Sequence, residues 1–158
     1  ALSGFVTKAL EGCRSVIDLF SGCGTFTLPL AEHAAVHAVE SEKAALVALE
    51  QGWRHAKGLR KVTIEARDLF RRPMMPEELT CYDGAGIDPP RAGAEAQAEQ
   101  LSRSDIAKIA MVSCNPVTFA RDAKILVGAG YRLSDVHVVD QFRWSPHVEL
   151  AALLQRGD

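Results

Sequence analysis

The chain has 158 residues, 47% of them hydrophobic and 24% charged, with a formal net charge of −2. That is enough for one domain spanning 1–158 with a sizeable core, and its near-neutral total gives no global pull towards nucleic acid, although one basic face can coexist with it. No stretch approaches the ~20 apolar residues of a membrane span, and no charged-then-apolar leader opens the chain, so neither membrane nor export is expected.

Four cysteines (Cys13, Cys23, Cys81 and Cys114) show no CxxC pairing and no metal-type spacing with histidine. No metal site is expected in this segment, and free thiols in a reducing cytoplasm fit best. The chain opens inside an apparent helix, residues 1–10, without an initiator Met, which reads as a fragment of a longer protein. Residues 14–20 form a β-branched run that feeds Ser21-Gly22-Cys23-Gly24, and a helix is predicted over 25–33. A second strand covers 34–39 and is closed by Glu40. Residues 42–57 keep apolar side chains at helical spacing, with Gly58 as a stop. A third strand over 62–66 ends at Asp68, and 71–78, with two prolines, reads as a loop or short helix. The fourth strand, 82–87, runs into Asp88-Pro89-Pro90-Arg91. A helix over 94–101 precedes a fifth strand over 106–112, and a further helix is predicted over 117–127. Strands over 131–139 and 147–154 finish the chain.

Strand and helix alternate until the end, which predicts a doubly wound, mostly parallel α/β sheet. The last two strands are joined by residues 140–146 alone. So short a connection cannot carry a helical crossover, so one carboxyl-terminal strand is expected to be antiparallel. In such a sheet ligands bind at the carboxyl ends of the strands. Cys114 ends the fifth strand there, under the helix opened by Asn115-Pro116, where backbone N–H groups and the helix dipole favour a thiolate. Position alone equally fits an inert, buried cysteine.

The same edge gathers Asp18, Glu40, Asp68 and a glycine turn. Thr27 stands where a dinucleotide fingerprint needs its third glycine, so a glycine loop under a nucleoside is favoured over a pyrophosphate site. Glu40 can accept the ribose hydroxyl protons, and Asp68 can face an adenine amino group. Asp88-Pro89-Pro90-Arg91 is similar to the Asp-Pro-Pro-Tyr signature of methylases acting on base amines, but Arg91 replaces the stacking aromatic. Arg91 suits a phosphate or an acid partner.

This architecture resembles class I S-adenosylmethionine methyltransferases. Asp-Pro-Pro-Arg-Ala-Gly at 88–93, Ser113-Cys114-Asn115-Pro116 and the tail from Asp140-Gln141-Phe142-Arg143-Trp144 to His147-Val148-Glu149 make it similar to the RNA uracil-C5 methyltransferase family over essentially its whole length. The resemblance implies Cys114 as nucleophile, Glu149 as base and Asp88 beside the reacting centre. It implies S-adenosylmethionine as cofactor, with contacts drawn from Asp18, Phe20, Ser21, Gly22, Gly24, Thr25, Glu40, Asp68 and Asp88. RNA (tRNA or rRNA) would be the partner, met by Arg91 and Asn115. The other three cysteines read as structural. Departures are the missing Phe-x-Gln-x-Asn motif and the tail Phe142-Arg143-Trp144-Ser145-Pro146-His147, where relatives carry Phe-Pro-x-Thr-x-His. Methylation of another base position or of a small molecule, or a cofactor-binding module inactive without an N-terminal part, are the alternatives. Oligomeric state is not legible.

Overall fold

The computed structural model describes residues 2–140, 144 and 147–157. Its centre is a seven-stranded sheet in the order β3-β2-β1-β4-β5-β7-β6. The strands are β1 (Ser15–Leu19), β2 (Ala35–Glu40), β3 (Val62–Ala66), β4 (Gly84–Ile87), β5 (Lys108–Ser113), β6 (Tyr131–Val139) and β7 (Glu149–Arg156). β7 runs antiparallel between β5 and β6, while β1 to β5 are parallel, as expected. The helices are α1 (Leu2–Ala9), α2 (Thr27–Leu30), α3 (Lys43–His55), α4 (Glu95–Ser102) and α5 (Pro116–Gly128).

The central strands are apolar on both faces because each face is covered, the pattern of a doubly wound sheet. One core layer joins Ile17, Leu19, Val39, Ile87, Ile109 and Met111 to Leu101 of α4 and Leu126 of α5. The other joins Val16, Val36, Val62, Ala110 and Val112 to Val6 of α1 and Leu30 of α2. Strand order reverses between β1 and β4, which opens a crevice at their carboxyl ends.

Three expectations need correction. The helix predicted over 25–33 contracts to Thr27–Leu30. Gly24 sits at φ 99°, where a Cβ would also collide with Leu49 Cδ1, so the preceding turn is left-handed and helix starts only beyond it. The last strand begins at Glu149 rather than at residue 147. Of the three cysteines expected to be structural, only Cys13 is buried, and burial pushes its thiol up to about 11; Cys23 and Cys81 are exposed. The tail positions 141–143, 145 and 146 lie outside the described residues. Among the described residues no helix is long and apolar enough to cross a membrane, and none group as a metal site.

Candidate active site

The carboxyl edge of the sheet is built from strand ends. β1 is followed by Phe20, a non-glycine residue at φ 61°, a conformation costing on the order of 1–2 kcal/mol that the surroundings must hold. Its ring meets Phe70 at 5.4 Å between centroids. A cavity of about 370 Å³ opens beside it, lined by Glu40 and Ser41 from the end of β2, Asp68 and Phe70 after β3, and Asp88-Pro89-Pro90 after β4. Four residues singled out in the sequence (Phe20, Glu40, Asp68 and Asp88) therefore share one wall.

Glu40 holds this wall together. One carboxylate oxygen accepts the Gly22 N–H at 3.0 Å, and the other accepts the Ser41 and Glu42 N–H groups at 2.8 and 3.0 Å. The glycine loop is thus tied to the end of β2 by charge-assisted bonds. Asp68 Oδ1 likewise accepts the Phe70 N–H at 2.9 Å. Ser21 is buried, whereas Thr25 is exposed; neither they nor Gly22 and Gly24 line the cavity.

Asp18 lies beneath, fully buried. Its Oδ2 accepts the Thr27 hydroxyl at 2.5 Å, while Oδ1 has no hydrogen-bond partner. Burial, with further repulsion from Asp88 and Glu40, pushes its carboxyl up to about 7. Asp88 is also pushed up to about 7, by burial and then by the Glu149 carboxylate. Asp18 thus senses Asp88 and Glu40, and Asp88 senses Glu149, which gathers acidic groups at one end of the sheet.

The second half of the site comes from β5 and β7. Ser113–Leu150 is the outermost pair of the antiparallel ladder, so Cys114 and Glu149 are the next positions on the two chains at its open end. Cys114 is half-buried. α5 begins immediately beyond it, with Asn115 as N-cap: its Oδ1 accepts the Val117 N–H at 3.0 Å. Asn115 Nδ2 donates to the Arg91 carbonyl at 3.0 Å, and the Thr118 hydroxyl donates to the same oxygen at 3.1 Å. The expected substrate contact Asn115 is thus engaged inside the chain, joining the Asp88-Pro89-Pro90-Arg91 loop to the helix behind Cys114. Gly93, at φ 77°, lets that loop pass close to α5; a Cβ there would lie 2.8 Å from Asp122 Oδ2. Buried Asp122 accepts the Ala94 N–H at 2.7 Å. The Arg91 guanidinium itself is exposed.

Sequence reasoning missed Phe70, Arg67, Thr118 and Asp122. Phe70 carried a faint signal, an aromatic two residues past a strand-end acid. The others act through loop conformations that no periodicity announces.

The sheet order, with β7 inserted antiparallel between β5 and β6, and acids on the cavity wall after β2, β3 and β4 mark the class I S-adenosylmethionine methyltransferase fold. An N-methyltransferase, NodS of Bradyrhizobium japonicum, shares that fold alone, with a TM-score of 0.76 at 11% identity over 99% of this chain and 94% of that one. More specifically, the profile of the family described as tRNA (Uracil-5-)-methyltransferase matches residues 4–157, and the chain belongs to that family. It is 54% identical over 156 residues to an uncharacterized RNA methyltransferase of Brucella suis, covering 99% of this chain and 38% of the relative. It is 41% identical to the 23S rRNA (uracil(1939)-C(5))-methyltransferase RlmD of Hahella chejuensis, over 91% of this chain and 33% of that protein. The Pyrococcus abyssi tRNA (uracil-54, C5)-methyltransferase, solved with S-adenosyl-L-homocysteine, superposes with a TM-score of 0.83 at 32% identity, over 97% of this chain and 37% of that one. The chain thus spans about a third of the length of these uracil and RNA methyltransferase relatives.

Proposed function

We propose that this chain is the catalytic part of an S-adenosylmethionine-dependent enzyme that methylates C5 of a uridine in RNA, with Cys114 as nucleophile and Glu149 as base. The observation that carries the reading is the β5–β7 register, which sets Cys114 opposite Glu149 with Asp88 within electrostatic reach.

The residues present fit the cofactor. A cationic sulfonium and ammonium suit an edge where Asp18 feels the Asp88 and Glu40 carboxylates and Asp18 Oδ1 lacks a partner. Glu40 and Asp68 on the cavity wall would meet the nucleoside, with the Phe20–Phe70 pair beside it. Phe20, Ser21, Gly22, Gly24 and Thr25 shape that side. When bound, the cofactor supplies an electrophilic methyl group.

Uracil C5 alone is a weak nucleophile. The Cys114 thiolate adds to C6, forming an S–C6 bond and moving the C5=C6 electron pair into an enolate whose nucleophilic carbon is C5. After C5 has taken the methyl, Glu149 accepts the C5 proton. The released electron pair re-forms C5=C6 and expels the Cys114 thiolate, which regenerates the enzyme. Arg91, exposed on the loop that α5 supports, is placed to meet a backbone phosphate. Relatives are named for both tRNA and 23S rRNA targets, so RNA uridine is the substrate class, and four free thiols suit the reducing cytoplasm.

In the intact protein, Cys114→Ala is expected to lower methyl transfer to uridine-containing RNA on the order of 10⁴-fold or more, with cofactor affinity retained. Methylation at the parental rate by that variant would reject the reading.

A further inference from the structure

One cavity-lining side chain serves neither the family motifs nor the proposed chemistry. Arg67 directly follows β3, and its side chain is only 11% exposed. A cation at that depth must be paired. Its Nε donates to the Arg72 carbonyl at 2.6 Å, and Nη2 donates to the Pro73 carbonyl at 2.7 Å. The same guanidinium grips Glu78 at two points, 3.0 Å to Oε1 and 2.9 Å to Oε2, and reaches Glu65 Oε2 at 3.1 Å. Glu78 in turn accepts the Met75 N–H at 2.9 Å. The Arg67 hydrogen bond, aided by that N–H, holds the Glu78 carboxyl down to about 2.

These bonds close a single segment. Residues 68–75 contain no helix or strand, yet three of them, Asp68, Leu69 and Phe70, form one side of the cavity. Ordering an irregular segment of this length costs backbone entropy at every residue. Without a ladder to hold it, its shape depends on the bonds its carbonyls and amides find. A planar guanidinium can serve two carbonyls and two carboxylates at once; an ammonium on a flexible stem cannot reproduce that fork.

We propose that Arg67 is a positioning residue that clamps residues 68–75 into the shape presenting Asp68 and Phe70 to the cofactor, and so sets cofactor affinity. The proposal rests on assigning the 370 Å³ cavity to S-adenosylmethionine.

The test measures cofactor binding by calorimetry, and steady-state kinetics, on the intact protein carrying Arg67→Met, Arg67→Lys, Glu78→Gln or Glu40→Gln. Arg67→Met is expected to weaken cofactor binding about tenfold or more, raising KM for the cofactor in proportion while kcat at saturation stays within about twofold. Arg67→Lys should recover little of the loss. Trypsin cleavage after Arg71 should quicken in the Arg67 variants. Glu78→Gln, at a more exposed position, tests the same clamp should Arg67→Met fail to fold, with about threefold weaker binding expected. Cofactor affinity within twofold of the parent in Arg67→Met, or in Glu78→Gln where the former does not fold, overturns the clamp while Glu40→Gln still binds weakly. Unchanged affinity in Glu40→Gln as well removes the cavity assignment and the clamp together.

Discussion

The two halves of the carboxyl edge are organised differently. On the β1–β3 side, Glu40 accepts three backbone N–H groups, Asp68 caps the turn after it, and Arg67 spends its guanidinium on the Arg72 and Pro73 carbonyls, Glu65 and Glu78. On the β5–β7 side, Cys114 and Glu149 are half-buried, the Arg91 guanidinium is exposed, and Trp144 is 98% exposed. The first half is preorganised by the chain, which suits a small ligand held the same way in every turnover. The second half presents reactive and cationic groups outward, which suits a large polymer that completes the site on arrival. Under the proposed function the difference separates affinity for cofactor from chemistry on RNA, and it can be tested piece by piece.

The largest effect is expected at the outward half. Glu149→Gln should lower kcat on the order of 10³-fold while cofactor affinity stays unchanged, because only removal of the C5 proton is lost. A methylated covalent protein–RNA species should then accumulate and migrate as a retarded band on denaturing gels. No such band, with RNA still bound, would remove Glu149 from the base role.

An intermediate effect is expected where the halves meet. Asp18 and Asp88 are raised to about 7 in the folded chain, above their ordinary range near 4. A cationic ligand favours their ionised forms, so binding releases protons below pH 7. Cofactor affinity should therefore rise between pH 6 and 8, by up to about tenfold for each of the two carboxyls, and then level. Asp88→Asn should flatten that rise. Stability of the ligand-free protein carries the opposite sign: the native state binds more protons between about pH 4 and 7, so stability falls as pH rises through that window. A melting temperature that climbs from pH 5 to 7 in the parent but not in Asp18→Asn would contradict the assignment.

The smallest effect concerns the joint between loop and helix. Asn115→Ala removes the N-cap of α5 and one bond to the Arg91 carbonyl, for an expected loss of about 1–2 kcal/mol. Chemical denaturation measures it directly. A neutral result would mean that Thr118 alone holds the loop.

Much of the fold was legible in the order of elements. Alternating periodicities predicted a parallel sheet, and the seven-residue link after residue 139 predicted one reversed strand, because a helical crossover does not fit into it. α2 was overdrawn because the apolar spacing of residues 25–33 says nothing of the left-handed turn at Gly24. The structural reading of Cys23 and Cys81 failed for a related reason: absence of a pairing pattern does not imply burial. In the candidate site, Glu40, Asp68 and Asp88 were legible as acids at strand ends, where the fold concentrates ligands. Arg67 and Asp122 were not, since what they do is satisfy the backbone of a neighbouring loop.

Cys114 shows where that boundary runs. The sequence alone determined that a cysteine follows a buried strand and precedes a Pro-initiated helix, since both depend on residues adjacent in the chain. It also determined, through the short final connection, that Glu149 returns on a reversed strand. Only the tertiary structure decided that the two stand opposite each other, because that depends on the Ser113–Leu150 register between strands 37 residues apart. It likewise decided that Asp88 feels the Glu149 charge, a long-range effect of burial and proximity that no local pattern encodes.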